Sequence, residues 1–373
     1  MKISIVGPVY PYRGGIAHHT TELVKSARKM GHSVQVVSFK RQYPEWLYPG
    51  KSDRDPSRND ILSGSQFILD PLNLFSWFKT IREIKLINPD VVVFQWWNPF
   101  WSPSFSFIAH QLRREKIKVC FLVHNVMPHE SNPFDKVLIR MALLNADGFI
   151  VQSEREHKRL EALIPGSIIV DCPHPVYELP EGRIPTKADA RRQLGIPLDV
   201  PLLLFFGIVR PYKGLTCLID AMGLLSGINP QPELMIAGEF WGSASEYIDR
   251  IANLNLDHQI HIENRYIPDE ELSVYFSAAD LFVAPYVDGT QSGAVKLAIG
   301  ARLPLLITSP LASKELLECP SAVMIVPPGD PASLAEGIQK WLQGEWIPDP
   351  AHLPKHEWDS MVQVIVSMGE KIL

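Results

Sequence analysis

Short, continuously apolar runs alternate along the chain with stretches whose apolar residues recur every three or four positions. Strands that are apolar on both faces and separated by helices are typical of a parallel sheet covered on both sides. The pattern therefore predicts a doubly wound α/β domain. The predicted strands of the first half are 2-KISIVG-7, 33-SVQVVSF-39, 91-VVVFQ-95, 118-KVCFLVH-124 and 148-GFIVQS-153, with a helix over 17-AHHTTELVKSARKMG-31.

The pattern restarts after a proline-rich segment, 172-CPHPVYELPEGRIP-185, which we interpret as a linker. Residues 355–373 are amphipathic and predict a helix. We therefore predict a Rossmann-like domain over 1–178, a second over 179–354, and a C-terminal helix over 355–373 that packs back towards the first domain. The two sheets are expected to face each other across a cleft. The predicted strands of the second domain are 201–208, 233–240, 260–266, 281–286, 304–308 and 322–328.

Composition narrows the class of protein. The chain has 373 residues, 46% of them hydrophobic and 21% charged, which is ordinary for a globular enzyme. The net charge of −5 argues against a nucleic-acid binder that relies on phosphate contacts. The four cysteines form no CxxC motif and have no histidines at zinc spacing, so we expect reduced thiols and no metal site. No stretch approaches the roughly 20 apolar residues that span a bilayer, so we expect a cytoplasmic protein, with peripheral membrane contact left open.

Two cations follow a buried strand in 205-FFGIVRPYKGL-215. Arg210 and Lys213 come directly after the strand that ends near Gly207, and a helix is expected to begin near Lys213. A guanidinium, an ammonium and a helix N-terminus together suit a diphosphate. The alternative is that both are solvated surface cations, which is the usual place of Lys and Arg.

A second loop with features of a phosphate site follows the predicted strand 281–286. Its small residues offer an N-cap and exposed backbone amides at the start of a helix, an arrangement that binds anions. An ordinary capped helix is the alternative. The residues concerned are Asp288, Gly289, Thr290, Gln291, Ser292 and Gly293.

The first predicted domain also contains residues that could contact a ligand. Gly14 and Gly15, between the first strand and the first helix, allow a ligand to approach the backbone closely, although the loop is neither GxGxxG nor a P-loop. His124 ends a predicted strand and His129 follows in the loop, each with a structural role as the alternative. The aromatic segment 94-FQWWNPFWSPSF-105 is either core or the lining of an acceptor pocket.

These motifs carry a resemblance. In order along nearly the whole chain, the RGG loop, FGIVRPYKG, 236-IAGE-239, 266-YIPDEEL-272, 278-AADLFVAPY-286 and the QSG segment resemble family 4 glycosyltransferases of GT-B architecture. The resemblance implies transfer of a sugar from a nucleotide-diphosphate sugar to a glycan, lipid-linked or other hydroxyl acceptor. It also implies retention of anomeric configuration, no obligatory metal, and a place in surface polysaccharide or glycoconjugate synthesis.

Position by position, Arg210 and Lys213 match the family's diphosphate-binding pair, and the backbone near Ser292 and Gly293 is expected to assist it. By the same resemblance, Gly14 and Gly15 match a loop that approaches the phosphate from the first domain. Tyr266 and Ile267 match a turn that contacts the nucleobase, and His124 matches a histidine that contacts the donor sugar. The leaving phosphate is expected to take the acceptor's proton.

The chain departs from the family's usual Glu-x(7)-Glu motif, because Gly289 and Leu297 occupy the two positions. Asp288 lies one residue away and is expected to reach the sugar hydroxyls. Two other functions therefore stay open: a non-catalytic sugar-nucleotide-binding subunit, and a nucleotide-sugar epimerase, for which the required acid–base carboxylates are not evident.

Overall fold

The computed structural model describes residues 1–44, 47–48, 50–128, 134–180 and 184–371. The chain divides into two compact units. Unit 1 comprises Met1–Asp55, Asn59–Pro175 and His356–Leu373, and unit 2 comprises Pro56–Arg58 and Val176–Lys355. Residues 56–58 join unit 2 because the Ser57 hydroxyl accepts a hydrogen bond from the Asp269 amide at 2.9 Å.

Unit 1 contains a seven-stranded sheet in the order β3-β2-β1-β4-β5-β6-β7, and every strand pair in it is parallel. Two of its strands, β3 and β7, were absent from the sequence prediction, because β3 is only partly buried and β7 has three residues. The strands are β1 Lys2–Val6, β2 Ser33–Phe39, β3 Ser65–Leu69, β4 Val91–Trp96, β5 Lys118–Val123, β6 Gly148–Val151 and β7 Ile169–Asp171.

Helices cover both faces of this sheet. Side chains from α2, α3, α4 and α5 form one core with it, while α1 and α13 form the core on the opposite face. The C-terminal helix α13 packs against α1, and the Ser26 hydroxyl donates to the Asp359 carboxylate at 2.7 Å. The helices are α1 Gly15–Lys29, α2 Leu74–Ile87, α3 Ser102–Arg114, α4 Asp135–Leu143, α5 Glu154–Leu163 and α13 Trp358–Lys371.

Unit 2 contains a six-stranded parallel sheet in the order β10-β9-β8-β11-β12-β13. The strands are β8 Leu202–Phe206, β9 Glu233–Ala237, β10 Ile260–Glu263, β11 Leu281–Ala284, β12 Leu305–Thr308 and β13 Val323–Val326. The helices are α6 Lys187–Leu194, α7 Leu215–Leu224, α8 Ser245–Asn253, α9 Asp269–Ala278, α10 Gly293–Gly300, α11 Lys314–Leu317 and α12 Pro331–Leu342. The prediction of two doubly wound parallel-sheet domains is confirmed.

The strand order identifies where each unit is built to hold a ligand. In open α/β sheets, ligands bind outside the carboxyl ends of the strands, at the point where the strand order reverses. In unit 2 the order reverses between β8 and β11, so the loops that follow these two strands meet there. In unit 1 it reverses between β1 and β4.

Candidate functional site

The loop after β8 carries the two predicted cations. It turns at Gly207, runs through Arg210 and forms a short 3-10 helix, Pro211–Lys213. Helix α7 then begins at Leu215, so it starts two residues later than the sequence suggested. Lys213 therefore lies on the short turn before the helix, beside Gly207: a Cβ at Gly207 would be 3.1 Å from the Lys213 ammonium.

Lys213 is a buried cation. Only 9% of it is exposed, and its ammonium lies over the ring of Tyr286, 5.5 Å from the centroid. Burial lowers the pKa of Lys213, and the neighbouring positive charge of Arg210 lowers that pKa further. Within the described residues, no carboxylate forms an ion pair with this ammonium. A buried charge without a counter-ion is costly, so this position suits a ligand that supplies negative charge.

Arg210 lies between two aromatic rings. Its guanidinium carbon is 5.4 Å from the ring centroid of Tyr212 and 5.6 Å from that of Trp241. Aromatic faces attract cations and restrict their side-chain rotamers. The guanidinium is therefore held near Lys213, and the two cations can act on one ligand.

Glycines allow the loops to approach this closely. Gly214 has φ 70°, and a Cβ there would lie 2.0 Å from the carbonyl oxygen of Pro285, which follows β11. Gly238 follows β9 with φ 153°, and a Cβ there would lie 2.1 Å from the carbonyl oxygen of Gly207. Any side chain at these two positions would push apart the strand ends that form the site.

The loop after β11 is joined to the loop after β8. The Val287 amide donates to the Tyr212 carbonyl at 2.8 Å, and the Tyr286 hydroxyl lies 3.0 Å from the Ser292 hydroxyl. Ser292 is the N-cap of α10, where its side chain accepts from the Val295 amide at 3.4 Å. Burial raises the pKa of Tyr286 to about 12, so its hydroxyl stays protonated at neutral pH.

Helix α10 consequently begins beside the two cations. Its first residue is Gly293, and the next, Ala294, would lie 3.8 Å from a Cβ at Gly207. Thr290 is buried just before it, and the Thr290 hydroxyl has no hydrogen-bond partner among the described residues. Gln291 lines a cavity of about 10 Å³ together with Thr290 and Ser292. The structure thus brings the second predicted phosphate loop to the first.

The other predicted contacts of unit 2 are less direct. Asp288 is half-buried. Burial raises the pKa of Tyr212 and the negative charge of Asp288 raises it further, so Asp288 lies near the loop that carries the two cations. Gly289 is buried with φ 146°, a conformation that explains a glycine there. Ile267 is buried in the hydrophobic core, so a nucleobase contact from it would involve backbone atoms, whereas Tyr266 is half-buried.

Leu297, at the second usual glutamate position, packs against the hydrophobic core of unit 2. The residue before it, Lys296, is only 3% exposed, and its ammonium pairs with the Glu315 carboxylate at 3.4 Å. Burial lowers the pKa of Lys296, and Glu315 opposes that shift. Among the described residues of unit 2, two lysines are buried, one with a carboxylate partner and one without.

In unit 1, Gly14 and Gly15 lie where the loop after β1 meets α1. Gly14 is the N-cap of α1 with φ 104°, and Gly15 is the first residue of the helix. A Cβ at either position would meet no atom of a neighbouring described residue within 4 Å. The positive φ accounts for Gly14, and the open space leaves both backbones accessible. Their role in phosphate binding stays a prediction.

His124 lies directly after β5 and is largely buried. Its Nε2 is 2.6 Å from Gln95 Oε1, and its ring contacts that of His19 with centroids 4.6 Å apart. His19 in turn contacts His174 and Trp358. Burial lowers the pKa of His124 to about 4, so the imidazole is neutral at pH 7. It can therefore act as a neutral hydrogen-bonding group, and its sugar contact stays a prediction. His129 lies outside the described residues.

The sequence analysis missed the aromatic part of the site. The two cations lie against the rings of Tyr212, Tyr286 and Trp241. Of these three, only Tyr212 could be associated with the cations from the sequence, because it lies between Arg210 and Lys213 in the same motif. Trp241 follows β9, a different strand, and the approach of its ring to Arg210 depends on the strand order. The aromatic segment after β4 proved to be mainly core, because Trp96 and Trp101 are fully buried.

Both units of the chain match known protein families. Residues 13–171 match the family described as Glycosyltransferase Family 4, and residues 200–344 match Glycosyl transferases group 1. The two matches together span more than half of the chain and include both loops of the unit 2 site. The chain belongs to glycosyltransferase family 4. The resemblance inferred from its motifs is confirmed at this level.

Individual relatives of this family 4 glycosyltransferase are distant. The putative teichuronic acid biosynthesis glycosyltransferase TuaC of Bacillus subtilis is 28% identical over 46% of this chain and 41% of TuaC. The uncharacterized glycosyltransferase MJ1607 of Methanocaldococcus jannaschii is 26% identical over 99% of this chain and 97% of its own. For TuaC and the D-inositol 3-phosphate glycosyltransferases of Corynebacterium jeikeium and Mycolicibacterium paratuberculosis, the chain spans less than two thirds of the relative's length.

A solved structure supports the fold. HepE of Anabaena, determined in complex with UDP-glucose, superposes with a TM-score of 0.71 at 16% identity, over 100% of this chain and 98% of HepE. At this identity the likeness concerns the fold. The family 4 glycosyltransferase therefore shares the two-domain α/β fold of HepE.

Proposed function

We propose that this family 4 glycosyltransferase transfers a sugar from a nucleotide-diphosphate sugar to a hydroxyl group of a glycan, lipid-linked or other acceptor. The observation that carries the proposal is the buried ammonium of Lys213, which lies beside Arg210 and has no carboxylate ion-pair partner among the described residues. The donor diphosphate would supply the missing negative charge.

The same two cations suit the chemical step. As the bond between the sugar C1 and the phosphate oxygen breaks, negative charge grows on the leaving diphosphate. Cations that are already in place stabilise this charge without reorganisation. The acceptor oxygen forms the new bond to C1, and its proton passes to the leaving phosphate, so no protein base is needed. We propose retention of configuration, which the family resemblance implies, and a role in polysaccharide or glycoconjugate synthesis, for which the printed name of TuaC is the support.

A second function is favoured by one observation. Leu297 packs against the core where family members usually have a glutamate, so no carboxylate at that position can hold the donor ribose. A non-catalytic sugar-nucleotide-binding subunit would bind the donor without turning it over. The test must therefore separate binding from turnover.

The experiment measures both quantities on the purified protein. Binding is read from the rise in melting temperature with UDP, GDP and ADP sugars, since a ligand of the native state must stabilise it. Turnover is read from release of the nucleoside diphosphate in the presence of candidate acceptors, and the anomeric configuration of the product is determined by NMR. UDP-glucose is tested first, because HepE was solved with it.

Variants then assign the role of the two cations. We expect Arg210→Ala and Lys213→Ala to lower kcat by roughly 10²- to 10³-fold, the range seen for a preorganised group that stabilises transition-state charge. Lys340→Ala, an exposed lysine that pairs with Glu336 in the same unit, is the control and should leave kcat unchanged. Donor binding without turnover under any condition would favour the binding-subunit function. Unchanged kcat in both cation variants would refute the assignment.

A further inference from the structure

Three helices of unit 1, α2, α3 and α4, lie side by side on one face of the seven-stranded sheet, with α2 packed against α3 and α3 against α4. Their solvent-exposed side chains form a surface that we call the α2–α4 face. It lies on the side of the sheet opposite to α1 and α13. None of the predicted site residues belongs to these helices.

The α2–α4 face exposes large apolar side chains. On α2, Phe75 is 85% exposed and Phe78 is 58% exposed, and Leu74 precedes them. The ring of Phe78 meets that of Phe107 on α3, with centroids 5.2 Å apart. On α4, Val137 is 68% exposed. Phe75 and Phe78, one helical turn apart on α2, form an exposed apolar patch, and patches of this kind mark binding surfaces.

Helix α2 separates its aromatic residues between the core and the solvent. Trp77 is buried, and its indole nitrogen donates to the Asp70 carbonyl at 3.0 Å. Trp77 is therefore part of the core and does not contribute to the exposed surface of the helix. Packing of α2 against the sheet explains Trp77, but it does not explain the exposure of Phe75 and Phe78.

The same face is basic. Seven exposed charged residues lie on α2, α3 and α4, and all seven are Lys or Arg. Three of them are on α2, at Lys79, Arg82 and Lys85. The two acidic residues of these helices are Glu83, which is half-buried, and Asp135, which is buried. The chain as a whole has a net charge of −5, so this surface has the opposite sign to the protein average.

Acidic neighbours neutralise part of this charge. Lys85 pairs with Glu115 just after α3, and Arg113 pairs with Asp147. The exposed cations on α4, Lys136 and Arg140, add to the basic surface. The face therefore keeps a positive balance around its apolar centre.

We propose that the α2–α4 face binds the surface of an anionic lipid bilayer, with Phe75 and Phe78 inserted at the level of the headgroups and upper acyl chains. Exposed apolar side chains on a helix lined with Lys and Arg are the combination that holds a helix in a bilayer interface. Basic residues near an anionic leaflet add electrostatic attraction that falls with salt. Among the described helices, none is long and apolar enough to cross a membrane, so the proposed contact is peripheral.

The experiment is co-sedimentation of the full chain with vesicles of phosphatidylcholine alone and of phosphatidylcholine with phosphatidylglycerol. We expect binding to the anionic vesicles, weak binding to the neutral ones, and release by raised salt. Phe75→Ser with Phe78→Ser, and separately Lys79→Glu with Arg82→Glu, should each weaken the partition coefficient by about tenfold or more.

Control variants show whether a loss of vesicle binding is specific to the α2–α4 face or follows from removing any exposed apolar or charged residue. Leu224→Ser with Ile347→Ser removes two exposed apolar residues from unit 2, and Lys25→Glu with Lys29→Glu reverses two charges on α1, across the same sheet. Both control variants should bind vesicles like the wild type. Circular dichroism and melting temperature confirm that each variant is folded.

Three outcomes would overturn the proposal. The first is failure of the wild type to bind anionic vesicles. The second is an equal loss of binding in the control variants. The third is a wild-type dimer that Phe75→Ser with Phe78→Ser converts to a monomer, because the face would then be an interface between two copies. No sugar donor is present in these assays, so their outcome is independent of the proposed sugar transfer.

Discussion

Two buried lysines of unit 2 provide a sharp test of the anion site. Lys213 is beside a second cation and has no carboxylate ion-pair partner among the described residues, whereas Lys296 pairs with Glu315 at 3.4 Å. Both ammonium groups are desolvated, and burial lowers the pKa of each. Methionine keeps most of the apolar length of lysine and removes its charge. The two substitutions are therefore expected to change stability in opposite directions.

The magnitudes follow from the cost of burying a charge. An effective penalty of several kcal/mol per buried ion implies that Lys213→Met raises the free energy of unfolding of the ligand-free protein by about 1–3 kcal/mol. Lys296→Met leaves Glu315 without its partner, although that side chain is 18% exposed. It should therefore lower the free energy of unfolding by about 1–3 kcal/mol, less than for a fully buried pair.

Equilibrium unfolding in urea at pH 7.5, without nucleotide, measures both changes. The slope m is compared between variants, so that a change in midpoint can be assigned to stability. The same variants are then heated with the best nucleotide ligand. At 100 times its Kd, that ligand should stabilise the wild type and Lys296→Met by about 2.7 kcal/mol, and it should stabilise Lys213→Met far less.

A loss of stability in Lys213→Met as large as that in Lys296→Met would contradict the reasoning. It would mean that groups within the protein already compensate the Lys213 charge. Gain of stability with unchanged ligand binding would also contradict it, since the unpaired ammonium would then have no function towards the ligand.

Three further predictions follow from the structure. Gly214 and Gly195 both have φ 70°, but of the two only a Cβ at Gly214 would meet a backbone oxygen, at 2.0 Å. In urea unfolding, Gly195→Ala should lower the free energy of unfolding by about 1–2 kcal/mol, and Gly214→Ala should lower it by at least about 2 kcal/mol more. Equal losses in the two variants would show that the loops can separate freely. Burial lowers the pKa of His124 to about 4 in the folded protein. Between about pH 6.5 and 4 the unfolded chain therefore binds a proton that the native protein does not, and stability falls as the pH falls. His124→Asn should remove about 1–2 kcal/mol of the loss measured between pH 7 and 5, and an undiminished loss in this variant would contradict the assignment. Asp288→Ala should reduce the discrimination between donor sugars by about tenfold in kcat/KM, equivalent to about 1.4 kcal/mol, and an identical donor preference would assign sugar recognition to backbone groups instead.

The class of fold could be predicted from local sequence patterns alone. Most strands of both sheets were evident because a buried parallel strand must be apolar on both faces, which leaves a continuous apolar run. The two strands that it missed lack this run: β3 is only partly buried, and β7 has three residues at the end of the sheet. The motifs that resemble family 4 were also local, since a strand end, a loop and a helix start are consecutive in the chain.

The surroundings of these motifs, in contrast, depend on how the chain folds. Nothing in the chain order shows that Lys213 is buried over Tyr286 or that Trp241 lies beside Arg210, because these residues follow three different strands. Likewise, only packing showed that Trp77 faces the core while Phe75 and Phe78 stay exposed. Burial and charge pairing depend on contacts between residues that are distant in sequence, and these contacts exist only once the sheets have formed.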